Sequence, residues 1–248
     1  MSRPIVGSFG KALDGSLSIN FGYSAGPDCE QACLHHPKST AKNPTNACYA
    51  FRSELRPDRS QLAAKLARHQ RTRPETICNK ALLEIVTLQT KGKTIPWVRI
   101  STNGSVPRPS KVTDRFKEAF CRLLEHCKSA GIPVHLPVET AAKARFYRSL
   151  VGGLAVVRES AVSRRRFLET KYPVSFTADG ESRIESVELA RQLAADRREK
   201  SGRKCVVCPA VLNSFAARRN PAMKNERAKC GACVACAAST TDIVYPKH

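Results

Sequence analysis

Eight of the eleven cysteines stand at spacings that suit metal ligation better than scattered packing. Cys29 and Cys33 are followed, after fourteen residues, by Cys48-Tyr49-Ala50. Toward the other end come Cys205 and Cys208, then Cys230, Cys233 and Cys236. Thiolates are polarisable donors for zinc or iron, and short spacers reduce the entropy of closing a site. Cys205-x2-Cys208, followed after 21 residues by Cys230-x2-Cys233, has the form of a two-knuckle zinc site. Cys236 extends the second pair to Cys-x2-Cys-x2-Cys, a triplet also used by ferredoxin-type clusters. Spacing alone therefore leaves zinc and a [4Fe-4S] cluster both open. The first group offers three thiols, enough for a cubane cluster with one iron left for a substrate or a remote ligand. Cys208, His35 and His36 are the candidates for that ligand. Cys78, Cys121 and Cys127 fall in helical patterns and read as small buried hydrophobes.

Other chemistry is sparser. Glu139 and Asp179 are carboxylates at expected strand ends, where they could serve as acid or base or merely cap the next helix. With Asn103 and Glu159 they would line a common pocket. There is no Walker loop, G-x-G-x-x-G, G-x-S-x-G elbow or H-E-x-x-H, and Gly152-Gly153 reads as a turn.

Charge is the other outlying property: 42 Lys+Arg against 21 Asp+Glu give a formal +21, which favours a polyanionic partner, nucleic acid first. Arg164-Arg165-Arg166, Arg197-Arg198, Arg203-Lys204 and Arg218-Arg219 are the local basic clusters that could contact phosphates. The odd cysteine count, the length and the absence of an apolar leader argue against a disulfide framework. No window approaches a membrane span, so a reducing cytoplasmic setting is expected.

The elements that must position these residues alternate. Leu17–Tyr23 reads as a strand entering the first cysteine loop. Helices are expected after Asp58 or Ser60, and from Pro74 to a stop at Gly92. Strand-like runs follow at Trp97–Thr102, Ile132–Val138, Leu154–Val157, Val174–Thr177 and Lys204–Cys208. Between them lie helical patterns at Thr113–Ala130, Ala141–Leu150, Val162–Lys171 and Ile184–Lys200. Strands alternating with helices indicate parallel βαβ units. The expectation is an α/β fold, a partial (β/α) barrel of about six parallel strands with cysteine-rich metal-binding N- and C-terminal segments. Residues 1–204 would form the barrel with its N-terminal cysteine loop, and residues 205–248 a metal-binding segment packed on it. In a closed or nearly closed barrel the last strand lies beside the first, so Cys208 could join Cys29, Cys33 and Cys48. Cys205 would then complete the set of Cys230, Cys233 and Cys236.

Cys29, Cys33, Cys48-Tyr49-Ala50, Arg99 with Asn103-Gly104, Val207-Cys208-Pro209 and Cys230-x2-Cys233-x2-Cys236, in that order, resemble phage- and plasmid-borne Cys-Tyr-Ala iron–sulfur proteins, the gene-product-eighty-eight-like group. Such proteins look similar to radical S-adenosylmethionine partial barrels. The resemblance implies one or two [4Fe-4S] clusters and possible S-adenosylmethionine chemistry. The spacing departs from C-x3-C-x2-C, because fourteen residues separate Cys33 from Cys48. Two functions follow as expectations. One is a mobile-element iron–sulfur protein that grips nucleic acid through a basic surface, its clusters structural or regulatory, with a host or mobile-element protein as a further partner. The other is a radical S-adenosylmethionine-like enzyme modifying a nucleic acid or nucleotide. Two four-cysteine sites would leave no iron open for catalysis, which favours the first.

Overall fold

The computed structural model describes residues 17–21, 38, 40, 72–100, 106–209, 212 and 234–246. They form an α/β structure whose seven strands are all parallel, a sheet compatible with a partial barrel. The elements run β1 Leu17–Ile19, α1 Pro74–Thr90, β2 Val98–Ile100, α2 Asp114–Ser129, β3 Val134–Val138, α3 Ala141–Val151 and β4 Val156–Ser160. Then come α4 Arg164–Glu169, β5 Val174–Ala178, α5 Arg183–Ser201, β6 Lys204–Val207, a 3-10 turn Val234–Ala237 and β7 Thr241–Pro246. Across the sheet the order is β1-β2-β3-β4-β5-β7-β6.

Two features differ from expectation. A seventh strand, β7, is formed by the last described residues and inserts between β5 and β6. Consequently β1 and β6 are the two edges of the ladder, and the expected pairing of first and last strands does not occur among the described residues. The boundary expected at residue 205 falls inside β6. The helix expected from Asp58 or Ser60 lies outside the described residues.

The helices form because their apolar residues recur at helical spacing and their starts are capped. Phe116, Ala119, Phe120, Leu123, Leu124 and Cys127 make one buried stripe on α2. Thr113 accepts a hydrogen bond from the Phe116 N–H at its start. Thr140 does the same for Lys143 on α3, and Ser182 and Glu185 form a reciprocal capping box on α5. Gly152 ends α3 in the left-handed region at φ 52°, where a Cβ is disfavoured. At Gly180 the need is space, since a Cβ would lie 2.6 Å from the Ser186 nitrogen.

Side-chain alternation divides the sheet into two faces. Leu17, Ile19, Val98, Ile100, Val134, Leu136, Val138 and Val157 pack against α1, α2 and α3 in one core. Phe21, Phe116 and Phe120 anchor that core through ring contacts of 5.2–6.1 Å between centroids; each such pair adds about 0.5–1.5 kcal/mol beyond its buried area. Val174, Ala178, Val244 and Cys205 join Phe167, Ala190, Leu193 and Ala194 in a second core beneath α4 and α5. The opposite face carries Ser18, Arg99, His135, Arg158, Ser175, Thr177 and Tyr245, residues matched by the strand register. A face so polar invites a function other than packing.

Candidate functional site

On the polar face, β7 brings two of the predicted ligands together. Cys236, in the 3-10 turn that precedes β7, places its Sγ 3.6 Å from the Tyr245 hydroxyl. Cys208 continues the β6 ladder, its N–H donating to the Val244 carbonyl at 2.9 Å. Burial raises the Tyr245 phenol well above its ordinary value; the neighbouring Cys236 and Cys208 thiols push it further, while Arg99 pulls it down. The two thiols, the phenol and the Arg99 guanidinium thus share one site. A phenol can donate a hydrogen bond to a metal-bound sulfur. The donors are soft and half-buried, which suits zinc or an iron–sulfur cluster and does not suit a hard cation.

Arg158 fixes the turn that carries Cys236. Its guanidinium is buried and donates to the carbonyls of Thr241 at 2.7 Å, Val174 at 3.1 Å, Ala238 at 3.1 Å, Cys236 at 3.2 Å and Ala235 at 3.4 Å. A planar fork with five N–H donors can serve several carbonyls at once. The chain therefore re-enters the sheet over the polar face before β7 begins. Next to it stands His135, 1% exposed, whose two ring nitrogens have no hydrogen-bond partner among the described residues. Burial, and then the charges of Arg158 and Arg99, drive its pKa well below the ordinary histidine value, so the imidazole is neutral.

Cys205 is placed differently from Cys208. It faces the second core under α5 and is 4% exposed. Desolvation and the nearby Asp242 push its thiol up to about 12. Its place among the apolar side chains of that core makes Cys205 a packing residue, a correction to its expected role beside Cys236. The physical reason is parity: residues three apart in an extended strand point to opposite faces. Cys29, Cys33, Cys48, Cys230 and Cys233 lie outside the described residues, as do His35 and His36. Among the described residues, no three His, Cys, Asp or Glu side chains gather as a metal site.

Three of the four expected pocket residues lie among the described residues. Glu159 is a correction: it points to the helix side of β4, 2% exposed, and takes two 2.8 Å hydrogen bonds from Arg166. Glu139 follows β3 and lies 3.3 Å from the buried Lys143 ammonium. Asp179 is exposed after β5, and Asn103 lies outside the described residues.

The basic clusters are largely spoken for. Arg164 pairs with Asp196, Arg165 with Glu169 and Arg166 with Glu159. Arg197 is fully buried and corrects the expectation of a phosphate contact. It donates to Asp242 at 2.9 Å and to the carbonyls of Leu168 and Thr170. Arg203 also binds Asp242. Asp242 accepts from the Val174 N–H as well, so one buried carboxylate joins α5, β5 and β7. Arg198 and Lys204 remain exposed, while Arg218 and Arg219 lie outside the described residues.

The sequence patterns missed Arg158, His135, Tyr245 and Asp242. Arg158, His135 and Tyr245 each had a signal, a polar side chain at the alternation position opposite the apolar face, whereas Asp242 stands on the apolar side with Cys205 and Val244. Compared with known proteins, the chain matches no family model and no curated protein. Among the described residues, no helix is long and apolar enough to cross a membrane.

Proposed function

We propose that the chain is a metal–thiolate protein with a partial (β/α) barrel, whose polar face holds an iron–sulfur cluster through Cys208 and Cys236. The remaining thiols would come from Cys29, Cys33, Cys48, Cys230 and Cys233. The observation that carries this reading is the meeting of Cys208, Cys236, Tyr245 and Arg99 on one face of the sheet. Thiolate-ligated clusters are net anionic, and a cationic, hydrogen-bonding surround stabilises them and tunes their potential. Zinc is the alternative occupant of the same donors. The resemblance to mobile-element iron–sulfur proteins, and an excess of 21 positive charges, support a nucleic acid as the partner, met in a reducing cytoplasm. A host or mobile-element protein is the further partner that the resemblance suggests.

The decisive experiment is anaerobic purification with iron, sulfide and zinc counted per chain. It is repeated on Cys208→Ala and Cys236→Ala. The expected result is a brown protein with iron and sulfide in equal amount, and loss of colour in both variants. A colourless, metal-free protein would sink the proposal, whereas zinc alone would replace the cluster. Adding S-adenosylmethionine tests the enzyme alternative, since a changed spectrum would show an iron open to that cofactor. Nucleic-acid binding is read from its salt dependence, where the slope of log K against log salt falls by about 0.9 per duplex phosphate contacted. Removing exposed Arg198 and Lys204 should make that slope shallower by up to about 1.8, while Arg164→Ala and Arg165→Ala should leave it unchanged.

A further inference from the structure

We infer that Tyr172 is a stacking platform for an unpaired base, set in a basic stripe that binds single-stranded nucleic acid. The inference rests on the proposed nucleic-acid partner and names its form and the surface it meets. Tyr172 is 53% exposed, and it is the one aromatic side chain among the described residues that stands exposed. It lies in the short loop between α4 and β5, which is held from both sides. From α3, the Arg148 guanidinium lies over the Tyr172 ring, 4.2 Å from its centroid, and donates to the Pro173 carbonyl at 3.4 Å. From α5, Arg197 donates to the Thr170 carbonyl at 2.6 Å. Within the loop, the Tyr172 N–H donates to the Thr170 hydroxyl at 3.4 Å.

A ring held in place while half of it meets water contributes little to the core, but it suits stacking. Arg148 covers one face, which leaves the other face and the edges as the exposed part. Bases of any identity stack on such a ring, and only unpaired bases offer a free face to it. The charges around the ring suit a phosphate chain. Arg145, one turn before Arg148 on α3, and Lys171, next to Tyr172, are exposed and make no ion pair among the described residues. The carboxylates Glu159, Glu169 and Asp196 are already engaged by Arg166, Arg165 and Arg164, so they oppose an anion weakly. Exposed Arg198 follows Arg197 on α5, and the stripe thus runs from α3 across the loop toward Arg198. A duplex hides its base faces and would meet this surface through phosphates alone.

The test uses the full-length protein purified without oxygen, titrated by fluorescence anisotropy against labelled oligothymidylate and a duplex of equal length across a salt series. The single strand should bind more tightly than the duplex. Tyr172→Ala should weaken single-strand binding about 5- to 140-fold, the range for one stacked base, and leave the salt slope unchanged. Tyr172→Phe keeps a stacking ring and should bind like the wild type. Arg145→Ala and Lys171→Ala should each make the single-strand slope shallower by up to about 0.7. A strand carrying iodouracil, cross-linked by light and mapped by mass spectrometry, should mark Tyr172. Single-strand binding within about twofold of wild type in Tyr172→Ala, below the weakest stack expected, overturns the inference and leaves the nucleic-acid partner standing. So does a duplex bound as tightly as the single strand, or a cross-link that falls only elsewhere. No salt-dependent binding of either form overturns the nucleic-acid partner itself, and the inference with it. If Tyr172→Ala does not fold, the wild-type cross-link and the comparison of single strand with duplex still decide.

Discussion

Replacing Arg158 with methionine removes a side chain that ties β4, β5, the 3-10 turn and β7 together. The guanidinium donates five hydrogen bonds of 2.7–3.4 Å and is 1% exposed. Bonds from a charged donor contribute about 1.5–3 kcal/mol each, but they share one side chain and do not add. Methionine also refills part of the volume. Asp242 keeps its bonds to Arg197 and Arg203, so the substitution does not strand a buried carboxylate. A net loss of about 3–5 kcal/mol is therefore expected from the carbonyls left without a donor, at about 1–3 kcal/mol for each that stays buried and unpaired. At roughly 2–4 °C per kcal/mol for a chain of this size, the melting temperature should fall by roughly 6–20 °C. Urea unfolding gives the free energy, and the rate of thiol labelling at Cys236 reports whether the turn has come loose. Arg158→Lys should show an intermediate loss, because an ammonium keeps the charge but reaches fewer carbonyls. A loss below about 1 kcal/mol with unchanged labelling of Cys236 would refute the clamp, because it would mean that water replaces every bond the guanidinium makes.

Two further outcomes follow from groups away from the site. Burial pushes the Cys127 thiol up to about 12, so it stays protonated in the folded chain while an unfolded thiol ionises from about pH 8.5. The folded pKa is the raised one, so this stabilisation is complete below the unfolded value and fades as pH rises toward the folded one. Relative to Cys127→Val, the wild type should lose about 1.4 kcal/mol between pH 7 and pH 9.5, read from urea midpoints at each pH; parallel curves would contradict the burial. Ser182→Ala removes the half of the α5 capping box in which the Ser182 hydroxyl accepts from the Glu185 N–H, and should cost about 1 kcal/mol. The same change at exposed Ser129, which caps no helix start, should cost about half a kcal/mol or less.

The βα alternation was legible because each helix buries a stripe at helical spacing and each strand places apolar residues on alternate positions. The expected runs at Trp97, Ile132, Leu154, Val174 and Lys204 each overlap an observed strand, though the one at Leu154 meets Val156–Ser160 only at its first two residues. Thr241–Pro246 carried the same signal in its Ile243-Val244-Tyr245 centre, but it follows the cysteine tail directly and was overshadowed by it. Arg197 illustrates a subtler failure. Beside Arg198 it reads as surface charge, yet it continues the buried series Ala190, Leu193 and Ala194 on the same face of α5. Only the presence of a fully buried Asp242 across the interface makes that position tolerable for a guanidinium. Sequence order does not reveal that partner, which lies 45 residues away.

The cysteine spacing misleads for a related reason. A Cys-x2-Cys pair chelates one metal when a turn follows the first thiol, which curls both sulfurs to the same side. Here the ladder runs unbroken from Lys204 to Val207 and on to the Cys208 N–H. Extended backbone then sends Cys205 to the α5 side and Cys208 to the polar side. What joins Cys208 to Cys236, 28 residues apart in sequence, is the insertion of β7 beside β6. Any site on this face is therefore incomplete until the last strand is in place. Metal content should consequently be lost together with the C-terminal strand, even in variants that keep every cysteine. Deleting residues 241–248 and counting the metal that remains tests that dependence: full occupancy in a folded truncation would show that the ligands assemble without β7.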